Sequence, residues 1–268
     1  MSLPTQPMQR SVHPMLALLV FVIIYLLDVF FFRLSAYSSW AVLAVLTVVL
    51  SLVLPLAATA LSKVSLSDGL LLSHRFVPGA AVSVVVATVL LVPLYICFNL
   101  ILARHWPEVR SMIYGDARQM RQMVRTTSWP LIAAGGLFFA FTEEFLYRGF
   151  LMNALRRWGD AVALIISSIC FAVAHHSVGK LLPMTLAGMW FGFVALRTRS
   201  IWVSTAAHFA VNAGLLAAIM YLAGPQPLRR TPLPEISDWW LVALVPFTVG
   251  VVWLSEKWGN ATPGTSRR

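Results

Sequence analysis

Charge is what this sequence has least of. Only 11% of its 268 residues are charged, and just 10 of them are acidic; a soluble domain carries about 25% charged residues. So few charges cannot solvate the surface of a water-soluble domain, and they exclude a disordered chain as well. Cysteine is nearly absent. Cys97 and Cys170 both sit in apolar runs, so a disulfide scaffold is excluded and neither thiol reports a redox compartment. Lysine occurs only at 63, 180 and 257, while arginine is plentiful. The net charge of +10 would suit nucleic acid, but no basic-aromatic module is present. The arginines stand between apolar runs, where they anchor helices to headgroups and set topology.

What is there instead is hydrophobicity, 59% of the chain. Lipid tolerates a backbone only when its hydrogen bonds close internally, so the expected fold is all-α, a polytopic bundle of membrane helices. A span needs about 20 mostly apolar residues. That ruler predicts eight spans, at 14–32, 40–61, 78–102, 129–157, 161–177, 182–197, 200–223 and 239–255, within a single domain over 1–268. The fifth and sixth are short and are expected inside the bundle. The first follows Arg10 as a signal peptide would, yet it runs on through Phe30, Phe31 and Phe32 without a small-residue cleavage site, and reads as a retained anchor.

The longest polar stretch precedes the fourth span. Over 107–126, Val109, Met112, Ile113, Ala117, Met120, Met123 and Val124 share one helical arc, with Arg110, Arg118, Arg121 and Arg125 opposite. This is the pattern of a helix lying in the headgroup plane, though Gly115 and Asp116 invite a break. A basic loop that merely holds topology fits the same residues. Lys and Arg divide ten to nine between the two membrane faces, which leaves the orientation open.

Ionisable side chains inside a span cost several kcal/mol, about 2.5–3.5 on insertion scales, and are functional candidates by default. Asp28, near the end of the first span, can reach the interface. The fourth span carries Glu143, Glu144 and Arg148. Glu144 and Arg148 are four apart with the acid first, the better order for a helical ion pair. Glu143, about 100° around the helix, is left without a partner on its strip. A buried, unpaired carboxylate is a good base near neutral pH.

The fifth span ends at His175 and His176. Glu143 stands sixteen residues before Gly159, in the expected turn, and His175 sixteen after it. In an antiparallel pair of regular helices both would lie about 24 Å from the turn and could meet. His176 points elsewhere and reads as a boundary residue. In the seventh span His208 and Asn212 share a face, with Asn212 nearer the depth of that pair and His208 shallower.

One carboxylate, two imidazoles and a carboxamide make a hydrolytic set: Glu143 to activate water, the imidazoles to orient it and protonate a leaving amine, Asn212 to donate to an oxyanion. Gly-x-Ser-x-Gly and His-Glu-x-x-His are both absent. Glu plus two His could alternatively hold a catalytic Zn²⁺. From another class, a transporter or immunity-type binder could use the same cluster, but paired inverted repeats or broken helices are not seen.

Glu143-Glu144-x-x-x-Arg148, Phe171-x-x-x-His175 and His208-x-x-x-Asn212, in this order and each on an apolar span, resemble the motifs of the CPBP family (CAAX proteases and bacteriocin-processing enzymes, also called Abi), relatives of the Rce1-type CAAX endopeptidase. The resemblance covers 129–223. It implies an intramembrane glutamic endopeptidase in which Glu143, His175, His208 and Asn212 form the site, Glu144, Arg148 and Phe171 support it, and no metal takes part. An older description of the family as metalloproteases keeps zinc open. Family substrates are prenylated CAAX tails, bacteriocin leaders and C-terminal sorting signals. The arginine-over-lysine bias points to a GC-rich bacterium, hence to the inner (plasma) membrane and a membrane-tethered peptide or protein substrate.

Overall fold

Apolar runs with no partner strand nearby satisfy their backbone only by coiling on themselves, and every regular element among the described residues is helical. The computed structural model describes residues 11–34, 40–70, 72, 78–223 and 237. In chain order the helices are α1 (Pro14–Leu34), α2 (Trp40–Leu61), α3 (Leu66–Gly69), α4 (Pro78–His105), α5 (Pro107–Thr126), α6 (Trp129–Glu144), α7 (Asn153–Leu155), α8 (Asp160–Val173), α9 (Val178–Thr198) and α10 (Ile201–Ala223). Four stretches among them, Pro14–Phe31, Ala81–His105, Val178–Thr198 and Ile201–Tyr221, are long and apolar enough to cross a membrane. Val48–Leu61 and Asp160–Val173 are shorter apolar helices. The eighth expected span, 239–255, lies outside the described residues.

The bundle is all-α and inverted in polarity. Leu19, Leu26, Phe30, Val82, Val86, Leu131 and Phe138 face outward, while Glu144, Arg148, Ser204 and His208 are buried. Isolated hydroxyls in the helices are satisfied locally: Thr88 donates to the Val84 carbonyl, Thr142 to Phe138 and Ser168 to Leu164, each one turn back. They add polarity to the sequence without adding a site.

The fourth expected span, 129–157, is not one regular helix. α6 ends at Glu144, a π-helical stretch follows over Phe145–Met152, and after the short α7 a 3₁₀ turn closes Arg156–Trp158. All eight π-helical side chains are buried. The wide turn packs against the α3 loop: a Cβ on Gly149 would lie 2.7 Å from the Leu70 carbonyl oxygen, and Asn153 Nδ2 donates to the Asp68 carbonyl at 2.7 Å. Such π turns concentrate at functional sites. The fifth span also ends early, at Val173 rather than 177.

α8 and α9 meet through small residues. A Cβ on Gly188 would touch Ser168, and one on Gly192 would overlap Leu164, so the two backbones approach closely, the usual mode of helix association in lipid. The amphipathic segment folds as expected, but without the break at Gly115 and Asp116. α5 is continuous: Asp116 keeps its place on the arc, and Lys180 of α9 pairs with its carboxylate at 2.9 Å. Val109 and Ala117 are buried, and Gly179 lets the start of α9 rest against the Glu108 backbone.

Gly149→Val forces a side chain onto the Leu70 carbonyl and is expected to cost about 1–3 kcal/mol or more. Gly115→Ala, with nothing within 4 Å of the new Cβ, is expected to be neutral or to stabilise by up to about 1 kcal/mol. Thermal unfolding of the detergent-purified variants measures both.

Candidate active site

Two adjacent glutamates close α6, and their different directions decide their environments. Glu144 turns inward and is fully buried, whereas the Glu143 side chain keeps 36% of its surface exposed. On the next turn Arg148, also fully buried, donates from Nη1 to Glu144 Oε1 at 3.0 Å and from Nη2 to the Gly188 carbonyl at 3.0 Å. The expected ion pair is present. Its guanidinium carbon stands 4.6 Å from the centroid of the Phe171 ring, 5.5 Å from Phe191 and 5.9 Å from Tyr147. Three aromatic faces thus replace much of the solvation that burial removes.

Glu144 does more than neutralise Arg148. His208, brought in by α10 and 4% exposed, sets Nδ1 2.9 Å from Glu144 Oε1. Ser204, one turn earlier, reaches Glu144 Oε2 at 2.5 Å. His208 lies flat on Phe191 (4.4 Å between centroids, 16°) and edge-on to Phe171 (5.8 Å, 81°). Its outer nitrogen, Nε2, is 3.5 Å from Glu143 Oε2. The imidazole therefore bridges the two carboxylates. Glu143 is neither unpartnered nor sealed away as the sequence suggested: it is half-buried and faces His208.

His175 terminates the turn after α8. Its Nδ1 lies 2.8 Å from the Phe171 carbonyl, and its ring packs against Phe171 at 4.8 Å and 70°. Both histidines thus contact the one phenylalanine. A carboxylate and a carbonyl accept but do not donate, so Nδ1 carries a proton in each ring, and His208 turns Nε2 toward the second carboxylate, Glu143. Asn212, half-buried one turn beyond His208, has no hydrogen-bond partner among the described residues, so its carboxamide is open to an incoming group.

His208, reckoned from straight helices to lie shallower than Glu143, meets it directly. Asp28 and His176 meet at 2.6 Å. Tyr25 stacks on His176 at 5.3 Å, and His176 takes a left-handed backbone, φ 49°. α1 is thereby fastened to the turn that presents His175.

Ser204, Phe191 and Gly188 were not singled out from sequence. Ser204 had a readable signal, since it lies four residues before His208 and eight before Asn212 on one face of α10. Phe191 and Gly188 had none, being an ordinary aromatic and an ordinary glycine of an apolar helix. The zinc alternative would draw on Glu143, His175 and His208, whereas Glu144 Oε1 is taken up by Arg148 and His208. Among the described residues no three His, Cys, Asp or Glu side chains converge as a metal-binding group.

Residues 125–214 match the family described as type II CAAX prenyl endopeptidase Rce1-like. The match contains Glu143, Glu144, Arg148, Phe171, His175, His208 and Asn212. Over that segment the chain is similar to CPBP/Rce1-type proteins. The Rce1-like segment runs from the last turn of α5 into α10 and also holds Phe191 and Ser204. A relative, the "Putative membrane peptidase YdiL" of Bacillus subtilis (strain 168), is 34% identical over 89 residues, 33% of this chain and 34% of that protein. The chain thus matches about a third of the length of this curated relative. No solved structure matches.

Breaking a buried ion pair from one side leaves an uncompensated charge and costs about 3–5 kcal/mol. Arg148→Met and Glu144→Gln are each expected to lose on that order in unfolding measurements. The double variant is expected to recover part of the loss. Additive losses would mean that the pair is not coupled.

Proposed function

We propose that this protein is a membrane peptidase that hydrolyses a peptide bond by glutamate-activated water. The observation that carries this reading is His208, held between a buried, saturated carboxylate and a half-exposed one, with the open amide of Asn212 one turn away. Support comes also from the Rce1-like match and from the name of the Bacillus relative.

In the proposed reaction Glu143 takes a proton from water as the water oxygen bonds to the scissile carbonyl carbon. The carbonyl electrons move onto its oxygen, which the Asn212 amide stabilises by donating to it. Collapse of the tetrahedral intermediate breaks the C–N bond, and the proton passes through the histidine Nε2 atoms or Glu143 to the departing amine. No residue becomes acylated. We read the chemistry as independent of a metal, with Glu143 itself activating the water.

The aliphatic exterior directs the site toward substrates already held in the bilayer: a leader peptide, a C-terminal sorting signal or a CAAX-like tail on an anchored protein. The arginine-rich composition and the Bacillus relative favour a bacterial plasma membrane as the location.

Membranes from cells making the wild type or Glu143→Gln are compared by mass spectrometry for newly formed peptide termini. The wild type is expected to produce termini that fall by about 10²-fold or more in Glu143→Gln, and by about 10²–10³-fold in Asn212→Ala. Identical sets of termini would remove Glu143 from catalysis and leave a binding protein. Cleavage is expected to persist in strong chelator; its loss, restored by Zn²⁺, would establish the metal-dependent version.

A further inference from the structure

Ser204 is fully buried, lies outside the three sequence motifs, and has one proton for two acceptors, Glu144 Oε2 at 2.5 Å and the Phe191 carbonyl at 3.0 Å. The shorter distance is that of a charge-assisted O–H···O⁻ bond, so the proton goes to Glu144. The carboxylate then accepts from Arg148 and His208 on Oε1 and from Ser204 on Oε2. With donors from the π-helical stretch and from two turns of α10, it has one orientation left. If Oε2 were free, only the Arg148 bond to Oε1 would oppose rotation about the final torsion of Glu144; as Oε1 swung away from His208 Nδ1, the ring could take its other tautomer. That tautomer would place the proton on Nε2, the atom 3.5 Å from Glu143 Oε2.

We infer that Ser204 is a positioning residue: by clamping Glu144 it holds the proton on His208 Nδ1 and keeps Nε2 as the nitrogen presented to Glu143. This rests on the peptidase reading for its catalytic meaning, but the proton position itself is a property of the resting protein. Ser204 acts through Glu144 and touches no reacting atom. The effect is separable from packing, because Ser204→Ala removes the hydroxyl whereas Ser204→Thr keeps it and only adds a methyl.

The test is nitrogen-15 NMR of the full chain in lipid nanodiscs with all six histidines labelled, the His208 signals being identified by their loss in His208→Gln. The wild type is expected to show a protonated Nδ1. Ser204→Ala is expected to shift the tautomer ratio by about tenfold toward Nε2, the equilibrium value of one hydrogen bond to a charged group, with thermal unfolding lowered as for the loss of that single bond. Ser204→Thr, which keeps the hydroxyl, is expected to restore the wild-type pattern. Should Ser204→Ala not give folded protein, Ser204→Cys, whose thiol is a weak donor, is read in its place. An unprotonated Nδ1 in the wild type, or a donor-poor variant with an unchanged spectrum, overturns the inference. Neither result touches the terminus comparison. Conversely, a tautomer shift without any wild-type cleavage would retire the peptidase reading and leave the clamp in place.

Discussion

The contact on which the rest of the bundle depends is the buried pair between Glu144 and Arg148. Two full charges in an apolar interior are tolerated only when nearly every donor and acceptor is met. The surrounding structure reads as the means of meeting them. Gly188 offers a carbonyl because, with no side chain of its own, it brings α9 close to α8. Phe171, Phe191 and Tyr147 turn their rings to the guanidinium. α10 contributes His208 and Ser204 to the carboxylate. Only Nε of Arg148 lacks a partner among the buried side-chain atoms of this cluster. Five elements are tied to one point, which fixes their rotation about their axes. Lipid-facing contacts cannot do this, because one aliphatic face is as good as another.

Much of this was legible beforehand. Hydrophobic run length located the four helices long enough to cross a bilayer, because a bilayer imposes length and polarity together. Among them is the sixth expected span, which proved longer than the run suggested. The i, i+4 spacing of Glu144 with Arg148 and of His208 with Asn212 placed each couple on one strip before any coordinates. The depth of His208 was not legible, because run lengths do not fix how packed helices are offset along one another. The 100° between Glu143 and Glu144 was legible, but which of the two turns inward was not. Phe191 was hidden for another reason. An aromatic at a helix contact has the same sequence signature whether it packs on leucine or covers a cation.

The Rce1-like segment includes the whole set of polar contacts at the site, while α1 to α4 lie outside it. Those helices are not inert padding. α3 lies against the π-helical turn through Asp68 and Leu70, and α5, outside the match but for its end, is pinned across the start of α9 by Asp116 and Lys180. The chemistry is therefore local in sequence, and the walls that shape it are not.

The left-handed turn at His176 has a bearing on how such a protein can change over evolutionary time. Asp28 belongs to the first helix, far from the matched residues along the chain, yet it fastens the corner that carries His175. A chimaera that joined the central third to the leading helices of another protein would keep every motif and lose this fastening. The family signature and the unit that must be inherited intact are thus different lengths of chain.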